Sequence, residues 1–411
     1  MPEAVRSEQV GLKIPGPTGV IILNHNGRAH LEAGLPSVLD MAGLAGPEAI
    51  MVADNGSKDD SLDWLAARHP RIRRLPLGGN LGFAEGNNRA AVAFADAASL
   101  LFLNNDTRVS SGLLRELEAT AAGHAPGSVC CGARLLDWQG RRLDFDGGAA
   151  SLTGHGHALR VGQRPDTGAQ ADQSTLFACG AALFMPRTLF LDLGGFATGY
   201  FAYYEDVDLG WRLWLTGHQV RHVPRATVLH RHHGTAAALS TDRRARLHER
   251  NALATLVRNL GDLALEATLP AALSLAALRA APRRAAEASA LMRAAHDRAP
   301  ASDLPVPGPN WAGWAPLAPL ALDWSALAQQ RAQVQGLRRL PDDAVLPRLG
   351  MPYAPVPGTV VADCWLREAV DRFDLERFFG PLPPPSLRVR LAGRRWRGSG
   401  TGPDSREADA P

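Results

Sequence analysis

The sequence predicts an α/β fold in which a mainly parallel sheet presents polar turns along its carboxyl edge. Three observations support this. Two short apolar runs share one design: Gly19-Val20-Ile21-Ile22-Leu23 runs into Asn24-His25-Asn26-Gly27, and Ile50-Met51-Val52-Ala53 runs into Asp54-Asn55-Gly56-Ser57-Lys58-Asp59. A third run, Ser99-Leu100-Leu101-Phe102-Leu103, ends at Asn104-Asn105-Asp106-Thr107. Runs that are apolar throughout and closed by turn formers read as strands buried on both faces, and sheets of this kind bind ligands beyond the carboxyl ends of their strands.

Residues 18 to about 128 alternate strand and helix patterns, as a nucleotide-binding α/β half does. Within them, Gly78-Gly79-Asn80-Leu81-Gly82-Phe83-Ala84-Glu85-Gly86-Asn87-Asn88-Arg89 reads as a loop feeding a helix that starts near Asn87. Small residues there let backbone N–H groups approach a phosphate or sugar. Residues 129 to about 260 are mixed. Asp144 to Arg164, rich in Gly and His, reads as loops or a hairpin on the acceptor side of the cleft; Tyr203-Tyr204-Glu205-Asp206-Val207-Asp208 opens an amphipathic helix, and Arg243 to Leu260 reads as another.

Beyond, Leu263 to Arg298 predicts one or two helices broken at Pro270 and Pro282, and Ala299 to Pro319 is a Pro-rich link. Further helices are expected over 323–336 and 360–379. Pro381 to Pro411 lacks apolar periodicity and reads as disordered. The expected organisation is a domain over 18–260, a helical and Pro-rich extension over 261–380, and a tail over 381–411.

With 411 residues and 45% hydrophobic content, the chain can bury a full α/β domain and more. The net charge of +3 is close to balanced, the only lysines are Lys13 and Lys58, and basic residues are scattered, so nucleic acid is not expected as a partner. Cys130, Cys131, Cys179 and Cys364 show no metal-ligand spacing, and Met1 to Gly16 lacks an apolar signal core, which predicts a reduced, cytoplasmic protein. Leu304 to Leu322 carries no charge, but five prolines exclude a spanning helix; Trp311, Trp314 and Trp324 leave room for peripheral membrane contact.

Two acidic clusters carry the chemistry. An Asp delivered to a strand end, as Asp106 is, suits a hard cation and a diphosphate, although a helix N-cap would use the same residue type. Carboxylates at a helix start, as Glu205, Asp206 and Asp208 are, can be simple partners of the helix dipole. Their apolar and aromatic neighbours Tyr203, Tyr204, Leu209 and Trp211 instead imply partial burial and perturbed protonation, which fits a general base. Asp54 could merely form a turn, and Asn24, Asn26 and Arg28 could bind either the turn backbone or ribose and phosphate.

Taken in order, these residues resemble the family-two inverting glycosyltransferases of the GT-A fold, in particular their rhamnosyltransferase-like branch. The resemblance covers roughly residues 18 to 260. It rests on the blocks at 24–27, 52–57, 80–88 and 103–107, on Cys179-Gly180-Ala181-Ala182 and Leu193-Gly194-Gly195-Phe196, and on Glu205-Asp206-Val207-Asp208 and Glu249-Arg250-Asn251. It implies a Rossmann-like mixed sheet and a nucleotide-sugar donor of the dTDP-rhamnose or UDP-hexose type. The donor would be held by Asn24, Asn26, Asp54, Asn55, Ser57, Asn80, Gly82, Phe83, Asn87, Asn105 and Asp106. It further implies Asp206 as the base, Glu205 and Trp211 on the acceptor side, and a glycan, lipid-linked or small-molecule acceptor.

The family's Asp-x-Asp motif reads Asn104-Asn105-Asp106 here, one anionic ligand fewer. In related galactofuranosyl transferases a downstream His completes the metal shell, and His230 stands at that place, with His232 and His233 nearby. The implied metal set is Asp106 and His230, holding Mg²⁺ or Mn²⁺; an imidazole favours Mn²⁺. Two rival classes stay open: a nucleotidyltransferase, which would need a Gly-rich, basic N-terminal loop for a triphosphate, and a noncatalytic carbohydrate-binding or scaffold protein, which would not need Asp206.

Overall fold

The computed structural model describes residues 16–165, 171–231, 241–280, 323–354 and 360–383. The three apolar runs form β1 (Thr18–Asn24), β2 (Ile50–Asp54) and β4 (Ser99–Asn104), joined through α1 (Arg28–Leu39), α2 (Ser61–Arg68), β3 (Arg73–Pro76) and α3 (Gly82–Ala93). β1 lies between β2 and β4 and is parallel to both, so Asn24 pairs with Asp54 while Leu23 pairs with Asn104. The chain therefore steps outward from β1 to β3 and then returns to the other side of β1. That reversal opens a crevice at the carboxyl ends of β1 and β4, where ligands of open α/β sheets bind.

The remainder of the sheet is mixed. After β5 (Thr107–Val109) and α4 (Leu113–Ala122) come β6 (Val129–Asp137), β7 (Leu143–Phe145) and the small hairpin of β8 (Gly148–Ala150) and β9 (Gly156–Ala158). Then follow β10 (Gln173–Ser174), β11 (Ala182–Pro186), α5 (Arg187–Asp192), α6 (Glu205–Leu215) and β12 (Gln219–His230). The order is β10-β12-β6-β11-β4-β1-β2-β3, with β11 antiparallel to both β4 and β6. β12 runs parallel to β6 and also pairs with β5, which sets His230 opposite Thr107.

α7 (Thr241–Asn259), α8 (Asp262–Ala280), α9 (Trp324–Leu337), α10 (Asp342–Val345), α11 (Val360–Arg372) and α12 (Glu376–Phe379) follow the sheet. Leu327, Val334, Val345, Leu346 and Leu349 share one hydrophobic core with Ile21, Phe102 and Trp211. Among the described residues no helix is long and apolar enough to cross a membrane.

Two expectations about helices need correcting. α3 starts at Gly82, not near Asn87. The Asn80 side chain accepts from the Gly82 N–H at 3.0 Å and the Asn55 side chain accepts from the Leu81 N–H at 2.8 Å, so side chains of the loop satisfy the amides just ahead of the helix. Pro270 lies inside α8 without ending it. A proline removes one backbone donor, and the burial of Thr268 before it and of Ala271, Ala272 and Leu275 after it holds the helix through that turn. The tail from residue 384 on, the Pro-rich link, Pro282, Trp311, Trp314, His232 and His233 lie outside the described residues.

α6 is fixed by an ion cluster. Asp208, fully buried, accepts from Arg212 Nε at 2.8 Å, from Arg258 Nε at 2.8 Å and from Asn259 Nδ2 at 2.9 Å. Arg212 also donates to the carbonyls of Leu193 and Gly195, both at 2.7 Å, and Arg258 donates to Gln330 Oε1 at 2.6 Å. One carboxylate thus ties α6 to the turn after α5, to α7 and to α9. Burial acts against its charge, but the two guanidiniums outweigh that and hold Asp208 down at about 2. Asp208→Ala leaves two buried guanidiniums without their anion and should cost about 3–5 kcal/mol in urea unfolding. A loss below about 1 kcal/mol would show the cluster to be incidental.

Candidate active site

The first half of the site is a web of amides along the sheet edge. Asn24 donates to Asp54 Oδ1 at 3.3 Å and to Ser57 Oγ at 3.2 Å, and accepts from Asn105 Nδ2 at 2.9 Å. Asp54 Oδ2 accepts from the Ser57 N–H at 3.0 Å, and Asn26 Oδ1 accepts from the Lys58 N–H at 2.7 Å. Asn55 donates to Asn80 Oδ1 at 3.2 Å and to the Gly82 carbonyl at 3.0 Å. The structure therefore gathers Asn24, Asn26, Asp54, Asn55, Ser57, Asn80, Gly82 and Asn105, and much of their hydrogen-bonding capacity goes to one another. Asn87 is buried in α3 and bonds the Phe83 carbonyl one turn back, so it serves the helix and does not line the crevice.

Asp106 follows β4 and is 4% exposed. Its Oδ1 lies 3.3 Å from His230 Nε2, and the other imidazole nitrogen of His230 is 2.8 Å from Asp144 Oδ2. Asn104 Nδ2 approaches the same Nε2 at 3.4 Å. Burial works against a charge on His230, but the hydrogen bonds to Asp106 and Asp144 prevail and raise it to about 9. A carboxylate behind a histidine whose far nitrogen meets a second carboxylate is the donor arrangement that holds and orients divalent cations. Once the ion displaces the proton on Nε2, Asp106 and His230 can offer it a two-residue set; among the described residues no group of three His, Cys, Asp or Glu is placed to hold a metal. A cavity of about 510 Å³ adjoins them, lined by His30, Trp138, Asp144, Gly162, His230 and Arg231. Arg108 and Arg231 both stack on Trp138, at 4.9 and 4.3 Å from its ring centre.

The second half is the first turn of α6. Its approach is strained: Phe201, Tyr203 and Tyr204 have φ of 62°, 71° and 71°, each costing about 1–3 kcal/mol in bulky residues. Asn251, fully buried on α7, holds this segment by donating to the carbonyls of Tyr200, Ala202 and Tyr203 at 3.1, 2.9 and 2.8 Å. The same segment meets the start of α3, for the Phe201 carbonyl accepts from the Phe83 N–H at 2.5 Å. A Cβ on Gly82 would stand 2.4 Å from that carbonyl, and its φ is +81°, so glycine is required there.

The three carboxylates of the turn have different fates. Asp208 is saturated by arginines. Glu205 is 6% exposed, its Oε2 has no hydrogen-bond partner among the described residues, and burial followed by repulsion from Asp206 pushes its pKa up. Asp206 is half-buried and accepts from the N–H groups of Gly180 at 3.0 Å and Val207 at 2.8 Å. Burial raises its pKa against those two hydrogen bonds. Cys179 links the halves: burial raises its thiol, and the negative charges of Asp206, Asp144 and Glu205 push it further in the same direction.

One expected acceptor-side residue is misplaced. Trp211 is 0% exposed and packed in the central core, because α6 is buried on every side from Val207 onward. Sequence reasoning assigned no function to Asp144, the Gly180 N–H or Asn251. The last two lie in motifs that it singled out, whereas Asp144 carried no signal of its own.

Next to this turn lie His157 and His248, whose pKa values fall to about 4, chiefly through burial and then through repulsion by His155. A histidine kept neutral in the fold stabilises it fully above the unfolded value of about 6.5, and this stability drains away as pH falls from there through 4. Melting temperature should therefore drop between pH 6.5 and 4, and His157→Gln or His248→Gln should flatten the slope, each removing roughly 2–3 kcal/mol of pH dependence. An unchanged slope in both would refute their burial as neutral imidazoles.

Residues 19–191 match the family model described as Glycosyl transferase family 2. Over 232 residues the chain is 29% identical to N-acetylglucosaminyl-diphospho-decaprenol L-rhamnosyltransferase of Mycobacterium tuberculosis, strains CDC 1551 / Oshkosh and H37Rv, covering 51% of this chain and 75% of the relative. Among solved structures, GalNAc-T7 with UDP, GalNAc and Mn²⁺ is similar at TM-score 0.45 and 16% identity, over 52% of this chain and 43% of that one. The mannosyltransferase PcManGT of Pyrobaculum calidifontis, in complex with GDP-Man and Mn²⁺, is similar at TM-score 0.43 and 17% identity, over 79% and 87%. Within the α/β unit, residues 19–191 thus match a Glycosyl transferase family 2 domain and the chain has a rhamnosyltransferase homologue; helices follow the unit.

Proposed function

We propose that this glycosyltransferase acts with inversion, moving a sugar from a nucleotide-diphosphate sugar to a hydroxyl of a glycan, lipid-linked or small-molecule acceptor, with Asp206 as the base. The observation that carries this is the division of labour in one helical turn. Of Glu205, Asp206 and Asp208, Asp206 alone is half-exposed, and among the described residues it has no guanidinium partner. Two backbone N–H groups fix both of its oxygens, while burial lifts its proton affinity toward the range useful in a base.

The donor is read as lying across the ends of β1, β2 and β4. Its nucleoside is assigned to Asp54 and the amide web, its diphosphate to Asp106, and its sugar to the loop at Gly82 and Phe83. As the acceptor oxygen attacks the anomeric carbon from the face opposite the diphosphate, its proton passes to Asp206 and the bond to the leaving phosphate oxygen breaks. Direct displacement needs no carboxylate nucleophile, in keeping with the engagement of Asp208 elsewhere. Asp106 and His230 would hold Mn²⁺ or Mg²⁺, which when bound neutralises the developing charge on the leaving diphosphate.

The donor proposed first is dTDP-rhamnose, with UDP-hexoses next, because the mycobacterial relative is named for transfer of L-rhamnose to a diphospho-decaprenol-linked sugar. A lipid-linked acceptor would bring the protein to a membrane surface, in the service of cell-wall or polysaccharide synthesis.

Asp206→Asn preserves shape but removes the proton acceptor. Turnover at saturating donor should fall by a factor of about 10² to 10⁴ with donor affinity by calorimetry unchanged; wild-type turnover in this variant would exclude Asp206 as base. Asp106→Ala should abolish turnover and remove the effect of Mn²⁺ on nucleotide binding, with some loss of melting temperature because His230 loses one of its two carboxylates. Metal dependence identical to that of the parent protein would count against Asp106 as a ligand.

A further inference from the structure

Beside Asp206 stands a group of side chains that this mechanism does not use. The β8–β9 hairpin lies against the first turn of α6, and only a glycine permits the contact: a Cβ on Gly156 would be 2.5 Å from Val207 Cγ2. His155, just ahead of β9, is brought to the rim of α7. Its Nδ1 is 2.9 Å from Thr153 Oγ1, which is itself 2.8 Å from Ser151 Oγ, so the imidazole is oriented from behind. Its Nε2 faces Glu249 Oε1 at 3.4 Å, and the two side chains keep 17% and 21% of their surface exposed.

An aromatic wall continues from this pair to the base. His155 meets Tyr204 edge-on at 6.0 Å, Tyr204 meets His248 edge-on at 5.3 Å, and His248 lies tilted over Tyr203 at 4.4 Å. Tyr204 is followed directly by Glu205, whose Oε2 has no hydrogen-bond partner among the described residues, and then by Asp206. Tyr204 is buried behind this wall, and the partly exposed Tyr203 and His248 are left to receive the apolar C–H face of a pyranose, while the partly exposed carboxylate and imidazole, 3.4 Å apart, can share a pair of neighbouring hydroxyls. Burial keeps His248 neutral, so the wall repels no cation and offers imidazole faces to a neutral ligand.

We propose that His155, Glu249 and the Tyr203–Tyr204–His248 wall form the subsite for the acceptor's terminal sugar, a pyranose with neighbouring hydroxyls, whose reactive oxygen is thereby set against Asp206. This assignment rests on the transferase reading for its purpose, but not for its test. His155 and Glu249 are positioning residues for the acceptor; neither touches the donor edge of the sheet.

The test measures binding of a panel of methyl glycosides of N-acetylglucosamine, glucose, galactose and rhamnose, by saturation-transfer NMR in the presence of nucleoside diphosphate. His155→Ala and Glu249→Gln alter half-exposed side chains, so folding is checked by melting temperature and the donor edge by nucleotide affinity. Each variant is expected to weaken the preferred glycoside about ten- to a hundredfold, the worth of a hydrogen bond to a charged group, while nucleotide affinity moves less than about twofold. Absence of glycoside binding by the parent protein, or undiminished binding in both variants, overturns the subsite. If glycoside binding behaves as stated and no nucleotide sugar is consumed, the subsite stands and the transferase reading falls.

Discussion

The Asp208 ion cluster is the constraint on which the rest of the site depends. α6 has to expose a carboxylate at its first turn and yet bury Val207, Leu209, Trp211 and Leu213 in the core on both of its sides. Asp208, one turn from Arg212 and bonded to Arg258 of α7, locks the rotation that allows both. Buried ion pairs are poor sources of net stability but good fixers of geometry. Here the fixed geometry orients Asp206 toward Gly180 and the strand ends, and commits α7 and α9 to the same cluster.

A second constraint couples the halves of the crevice. Asn251 clamps the left-handed segment 200–204, and the Phe201 carbonyl from that segment receives the Phe83 N–H at the start of α3. Movement of the loop ahead of α3 is therefore felt one hydrogen bond away by the peptide that leads into Asp206. Strain of this sort persists only where the surroundings over-determine it, and three backbone carbonyls held by one buried amide provide that. On the far side, β12 brings His230 to Asp106 because it pairs with β5 directly after the metal-candidate aspartate.

Much of this was legible in the sequence for identifiable reasons. Apolar runs with polar tips marked β1, β2 and β4 to within a residue or so, because strands buried on both faces leave no ambiguity of period. The acidic turn stood out because its carboxylates sit among aromatic neighbours, whereas His230 was pointed to only by the family resemblance. Trp211 was misread since sequence order gives proximity to Asp206 but not burial; beyond its first turn α6 is enclosed on every side by the core. The early start of α3 was hidden because Asn55, more than twenty residues away, supplies part of its cap. The partners of Asp208 were invisible for the same reason: Arg258 and Asn259 come from a helix fifty residues later.

The central claim is that Asp206 assists a direct displacement with no covalent intermediate. The most direct test is the configuration of the sugar at first release, followed by proton NMR as the protein with Mn²⁺ turns over its nucleotide-sugar donor. The anomeric proton of the first product, whether glycoside or hydrolysed sugar, should show the configuration opposite to that in the donor, before any mutarotation. Retention at that centre would require a second nucleophilic step, for which the arginine-bound Asp208 is unsuited, and would contradict the account.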